Sequence, residues 1–360
     1  MDEVERRIHR SCTRFLSGHQ PAPPHETLRA LAERPESGEA DQYGVGGPVA
    51  ILEQRVARLL EKPAAIFFAK GMAAQLAVLK LRETEAMNPR VVIHPLSHMD
   101  CDEGGMLERV GGLQPIRLGQ QRHFSRAQLH SLAERPAAVV LELPLRRAGY
   151  LLPDWDELLA LAQWCRETGV PLHLDGARLW EAATHYGRAP AEIAALADSV
   201  YVSFYKGLGG IGGAAVAASA ETVTALGPWR NRLGANLYAA YPMALSALDG
   251  LDRNLPRMGE FAARCAELCS RLQRIDNILL NPASPQGNAC QILFRAEPAD
   301  VTAAHLALAH ARGVWLFNRI GPSALTDWTM AELVIGTASD HWRMDEGETW
   351  IRELNAKLRR

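Results

Sequence analysis

Residues 198–213 read DSVYVSFYKGLGGIGG. Val200, Val202 and Phe204 alternate with Tyr201 and Ser203, the period of two that marks a β-strand over residues 199–204. Lys206 stands where that strand gives out, and glycines follow it. Lacking a Cβ, glycine lets a bulky group approach the backbone closely. Ser203, three residues before the lysine, can turn a hydroxyl towards a phosphate. Lysine is scarce here: of 39 basic residues only Lys62, Lys70, Lys80, Lys206 and Lys357 are lysines. Lys62, Lys80 and Lys357 fall on or at the ends of amphipathic helices, where a solvated charge is the ordinary role. Lys70 and Lys206 lie in loops beside glycine, after apolar strands. Lysine, unlike arginine, can shed its proton and attack a carbonyl, so Lys206 is the candidate Schiff-base lysine. Gly207, Gly209 and Gly212 also fit G-x-G-x-x-G, the dinucleotide fingerprint. That motif calls for an acidic residue about 20 positions further on, and none lies between Glu221 and Asp249. A nicotinamide-dependent oxidoreductase is the competing reading.

Outward from this stretch, strand and helix patterns alternate. Upstream, residues 64–68, 91–94, 137–143 and 170–174 read as strands. Helices are expected after Pro48, from Gly71, over 125–134, from Asp154 to Gly169 and over 190–197. This alternation predicts a mostly parallel sheet flanked by helices. Downstream the pattern changes. Residues 242–274 read as helix, broken before Pro256. Strands follow at 289–294, 313–317 and 331–335, with helices at 299–311 and 344–359. The expected organisation is an α/β large domain, 21–240, and a smaller α+β domain, 241–360, joined by residues 1–20.

Composition is that of an ordinary soluble protein, with 48% hydrophobic and 22% charged residues. A net charge of -2 offers no footprint for nucleic acid or an anionic membrane. No apolar run approaches the ~18 residues of a membrane helix, and MDEVERRIHRSCTRF is too charged for a signal peptide. The cytoplasm is the expected compartment. The six cysteines include no C-x-x-C pair. Cys265 and Cys269, four apart, share a helix face, and small buried thiols in a reducing compartment account for them. The twelve histidines show no metal-binding spacing, so no metal is expected.

In an open parallel sheet, ligands sit beyond the carboxyl ends of the strands. His173 and Asp175 end one strand, followed by Gly176 and Arg178. Lys206 ends a second, Gly71 opens a helix after a third, and His98 follows a fourth. Together they suit pyridoxal 5′-phosphate. Its aldehyde needs an amine, Lys206. Its pyridine nitrogen needs a carboxylate, Asp175, so that the ring can act as an electron sink. Its phosphate needs amides at a helix N-terminus, those of Gly71 and Met72, and a hydroxyl, that of Ser203. His98 could stack on the ring. Ser17 and His19 lie in the Pro-rich turn segment FLSGHQPAPP, which serves equally as a surface turn or as part of a site.

HLDGARLWEA (173–182) and YKGLGG (205–210) resemble the cofactor segments of the threonine aldolase and β-eliminating lyase family. The likeness extends to residues 43–75 and 97–105, and covers roughly 15–240. It implies the pyridoxal-phosphate-dependent aspartate-aminotransferase fold (type I) and retro-aldol cleavage of a β-hydroxy-α-amino acid to glycine and an aldehyde. β-Elimination, or cofactor binding without turnover, are the alternatives. By resemblance Lys206 is the Schiff-base lysine, Asp175 the pyridine partner and His98 the stacking histidine. Arg178 is then a contact of cofactor and substrate carboxylate, and Ser17 lies near the substrate. Tyr43 would reach a neighbour's cofactor in a homodimer or homotetramer with sites at the subunit interfaces. The chain departs from the family at Tyr205 before the lysine, at Lys70-Gly71-Met72 in the phosphate loop, and at Leu143-Pro144-Leu145-Arg146. It departs again at Glu332, where the family places a carboxylate-binding arginine. Arg319 is the next arginine to consider for that task.

Overall fold

Short apolar runs between residues 64 and 218 become one seven-stranded sheet in the computed structural model, which describes residues 2–358. The strand order is Ala64–Phe68, Ala214–Ala218, Ser199–Ser203, Leu172–Gly176, Ala138–Glu142, Arg90–Ile93, Gln114–Arg117. The last five run parallel, and Ala214–Ala218 is antiparallel to both its neighbours. The four strands from Ala138 to Ala218 are buried at every position. Only a sheet covered by helices on both faces needs such unbroken apolar runs. The helix Gly71–Ala86 covers part of it. Met72, Leu76 and Leu79 pack with Val91, Ile93 and Val140, while Ala74, Val78 and Leu81 pack with Ile66, Phe68 and Val216. Truncating Leu76 or Leu79 to alanine costs about 2–5 kcal/mol.

The strand Ala214–Ala218 was not foreseen. Its AAVAA sequence is poor in the β-branched and aromatic residues that favour strands. It decides one question. The dinucleotide fingerprint requires its glycines to lead from a strand into a helix. Here they form the loop of a hairpin between two antiparallel strands, so the nicotinamide reading fails.

Residues 24–256 form the larger of two compact units; residues 2–23 and 257–358 form the other. The helix Tyr241–Arg253 thus belongs with the sheet, although the sequence boundary was drawn before it. It clamps the glycine loop. Its Ser246 hydroxyl accepts the Ile211 N–H at 2.7 Å, and Asn254, just beyond it, donates to the Leu208 carbonyl at 2.8 Å. Gly250 is required there, because a Cβ would stand 2.4 Å from that carbonyl oxygen.

The smaller unit has a four-stranded antiparallel sheet, in the order Ile320–Pro322, Thr329–Val334, Ala289–Phe294, Ile278–Asn281. The helices Met258–Leu272, Pro298–Arg312 and Met344–Leu358 accompany it. Arg14–Phe15 pairs in parallel with Val314–Trp315, which ties the N-terminal segment into this unit.

Candidate active site

The strand register brings Phe68, Ser203, Gly176 and Glu142 to one edge of the large sheet. Asp175 lies at that edge with 0% exposure. One carboxylate oxygen accepts the Ala177 N–H at 3.2 Å; the other is 2.6 Å from Nε2 of His98. His98 opens the short helix His98–Cys101, whose N-cap Ser97 accepts the Met99 N–H. Its Nδ1 is 3.6 Å from the Glu103 carboxylate, and its backbone N–H donates to Glu142 at 2.9 Å. Burial alone would lower the imidazole's pKa and raise the carboxyl's. The charge and hydrogen bond each offers the other reverse both effects: His98 is held well above its ordinary range and Asp175 well below. Asp175 is therefore ionised at neutral pH despite its burial.

Lys206 opens the hairpin loop. Burial first, and then the Arg178 guanidinium, push its amine down to about 8; Asp175, Glu142 and Glu181 oppose them. A substantial neutral fraction near neutral pH is what a nucleophilic amine requires. Ser203 is fully buried, and its hydroxyl donates to the Ala177 carbonyl at 2.9 Å. It latches the lysine strand to the loop after Asp175.

The helix Gly71–Ala86 begins at the same edge. Lys70, at its N-cap, makes no side-chain cap bond. Ala74 is the first residue to bond back, to the Lys70 carbonyl, so the first-turn amides at Gly71 and Met72 lack helical acceptors. The Met72 side chain is buried in the core, which leaves its amide as the group it can offer. The Tyr201 hydroxyl lies against Gly71: a Cβ at 71 would come within 2.2 Å of it. Glycine is needed at 71 because a hydroxyl occupies the space of a side chain. Two amides and a phenol gathered at a helix N-terminus suit an anion.

Arg178 caps the helix Leu179–Tyr186, its guanidinium 5.0 Å over the Tyr150 ring. One turn on, Glu181 is 3% exposed, with the backbone N–H groups of Gly207 and of Glu181 itself directed at its carboxyl. Burial raises its pKa against the charges of Arg178 and Lys206. Glu103, Glu142 and Tyr201 were not singled out in the sequence. Glu142 had a signal, as an acid closing the apolar strand AVVLE. Glu181 had another, as an acid in the apolar run LWEAA straight after DGAR.

Tyr43 stands apart in its contacts. It is 57% exposed, adopts φ 50°, and packs edge-on against Tyr238 at 5.3 Å. Ser17 lies in the smaller unit, where its buried hydroxyl accepts the Val334 N–H at 2.9 Å and lies 3.3 Å from the Val334 carbonyl. Glu332 sits on the strand Thr329–Val334, and its N–H donates to the Arg319 carbonyl.

The family model described as beta-eliminating lyase matches residues 22–293. The chain belongs to that family. It superposes on a structure described as a putative L-allo-threonine aldolase from Listeria monocytogenes EGD-E with a TM-score of 0.91 and 30% identity, covering 99% of both chains. It is 23% identical over 288 residues to a probable low-specificity L-threonine aldolase 2 from Arabidopsis thaliana, covering 76% of this chain and 80% of that one. It is 26% identical over 269 residues to the low specificity L-threonine aldolase of Escherichia coli K12, covering 70% and 76%. As a beta-eliminating lyase family member, the chain is a pyridoxal 5′-phosphate-dependent lyase. The donor set fits that cofactor: an amine of depressed pKa, a buried ionised carboxylate, and a cradle at Gly71 that a Cβ would fill.

Proposed function

We propose that the chain cleaves a β-hydroxy-α-amino acid to glycine and an aldehyde, using the buried cluster of Lys206, Asp175 and His98. The observation that carries this reading is the 2.6 Å contact between His98 and the buried Asp175 on the sheet edge that also bears Lys206. Lys206 would hold the cofactor's aldehyde, Asp175 its ring nitrogen, and Gly71, Met72 and the Tyr201 hydroxyl its phosphate. Lys70, at the N-cap beside them, adds a positive charge. Ser203 supports the site from beneath, through Ala177. When bound, the cofactor supplies an electron sink for the bond broken at the substrate's Cα.

The remaining tasks fall to this chain's side chains. Asp175, ionised at neutral pH, makes a positive charge on the group beside it favourable. His98 handles the proton of the β-hydroxyl, its two ring nitrogens lying between the carboxylates of Asp175 and Glu103. Arg178, fixed on Tyr150, binds the substrate carboxylate through its planar fork. β-Elimination is the second reading. The protonation of His98 favours it, because a histidine held in its acid form is a weak base, whereas Lys206 at about 8 can take a Cα proton.

The reading extends to assembly as a homodimer or homotetramer in the cytoplasm, with Tyr43 contributing to the neighbour's site. Tyr43, Val45, Tyr238 and Tyr241 are exposed on the larger unit, an apolar surface suited to a second copy. Among the described residues no helix is long and apolar enough to cross a membrane.

Incubation of the cofactor-loaded protein with threonine, allo-threonine and aryl-substituted β-hydroxy amino acids tests the chemistry. Glycine with the matching aldehyde supports cleavage. Ammonia with a 2-oxo acid supports elimination instead, and no product from any of them leaves a binding protein without turnover. Arg178→Lys should raise KM more than it lowers kcat, because the charge stays while the fork is lost.

A further inference from the structure

Three of the six cysteines meet inside the unit formed by residues 2–23 and 257–358, apart from the site above. Cys265 and Cys269 share the inner face of the helix Met258–Leu272, and Cys290 comes from the strand Ala289–Phe294. Their exposures are 0%, 1% and 0%. The sulfurs of Cys269 and Cys290 are 3.3 Å apart, and all three lie within 4.8 Å of one another. Sulfurs sharing one ion at about 2.3 Å are separated by about 3.8–4.0 Å, a value inside this range. Apolar packing explains one buried thiol. It gives no reason for three thiols from two elements to face each other.

We propose that Cys265, Cys269 and Cys290 form a three-sulfur site for a thiophilic trivalent ion of the arsenite class. Sulfur ligands select soft ions, and charge then chooses among them. Among the described residues, the groups acting on Cys269 and Cys290 are the neighbouring sulfurs, with no Lys or Arg among them to balance an anion. Three thiolates around a monovalent ion would carry two net negative charges, and around a divalent ion one. Uncompensated charge in an apolar interior is costly. Zinc also asks for a fourth ligand, and the described His, Cys, Asp and Glu side chains contribute only these three. A trivalent ion leaves the site neutral and completes its shell with three sulfurs. The reaction balances without oxidant or reductant: As(OH)3 loses three As–O bonds and gains three As–S bonds. The three thiol protons leave with the hydroxides as water.

The test is sodium arsenite added to the purified, cofactor-loaded protein, followed by gel filtration and X-ray absorption at the arsenic edge. One arsenic per chain with three sulfur neighbours and no oxygen is expected. Cys265→Ala, Cys269→Ala or Cys290→Ala should each weaken retention at least tenfold. Cys12→Ala and Cys101→Ala should not. Arsenic that is not retained, that shows fewer than three sulfurs in the unmutated protein, or that survives the triple substitution overturns the proposal. The spectrum of the unmutated protein decides the matter even where a variant fails to fold.

Discussion

Two histidines near Asp175, His173 on its strand and His98 on the helix His98–Cys101, behave in opposite ways. His173 and His98 are both enclosed, and both place a ring nitrogen 2.6 Å from an oxygen. His173 meets neutral partners, the Gln75 amide oxygen and, at 2.8 Å, the Ser199 hydroxyl; burial pushes it down to about 4 and it stays uncharged. His98 meets Asp175 and Glu103 and is driven the other way. Burial is common to both, so the charge of the partner sets the protonation state. Asp175, two residues beyond His173 on the same strand, therefore separates a structural histidine from one that can handle protons.

The strongest break is at Lys206, the cation facing that carboxylate. Lys206→Ala should abolish turnover. Borohydride reduction of the loaded, unmutated protein, followed by peptide mapping, should find the cofactor fixed on Lys206. An adduct on Lys70 would move the chemistry to the phosphate end.

Asp175→Asn comes next. It removes the charge while keeping the shape, so the His98 titration should fall towards that of His173, as followed by NMR of the ring protons. Turnover should drop by about 100-fold or more, the usual cost of losing a preorganised electrostatic partner. A His98 titration unmoved by the substitution would mean that Glu103 alone holds the proton.

Much of this site was legible in the chain, and the limits have physical causes. Lys206 showed itself because lysine is rare here and glycines follow it. Asp175 and His98 showed themselves as polar residues at the ends of apolar runs. What stayed hidden depended on register. Glu142 enters only because its strand lies beside that of Asp175, and the Tyr201 phenol enters only because it reaches across to Gly71. The strand Gln114–Arg117 was hidden too. It lies at the sheet edge, half exposed, with a proline and no alternation. The hydroxyl of Ser203 was expected to face a phosphate and instead donates to a carbonyl, a choice that residue type alone does not reveal.

His173→Gln sharpens the comparison from the structural side. It should leave the cofactor adduct in place and cost about 1–3 kcal/mol of stability, since Gln75 and Ser199 lose their partner. The pH dependence follows from the direction of the shift. His173 titrates at about 4 in the folded chain against an ordinary 6.5, so between those values the unfolded chain binds the extra proton. Stability is full above 6.5 and declines as pH falls through that window. Urea denaturation from pH 7 to 4 should show a shallower decline in the variant. The slope should not vanish, because His123 and His305 are depressed to about 4 as well.

The smallest effect is expected at Glu181. An ionised carboxylate in a buried site is expensive, and here burial raises the pKa of this one against the pull of Arg178, Lys206 and the Gly207 backbone N–H. Burial thus shifts Glu181 towards its neutral form. Glutamine reproduces that state in size and charge, so Glu181→Gln should change kcat/KM by less than about threefold, equivalent to under about 0.7 kcal/mol. Glu181→Asp should do more harm despite keeping the carboxyl, because it shortens the reach and leaves a cavity. The pH profile gives the sharper reading. If Glu181 is neutral at the working pH, the amine of Lys206 titrates near about 8 in both proteins. If it is ionised and supports the lysine's charge, the glutamine variant should shift the basic limb of the kcat/KM profile to lower pH, and turnover should fall with it. A large loss with the limb shifted would place Glu181 among the charges of the site, beside Asp175, and end its standing as a neutral neighbour.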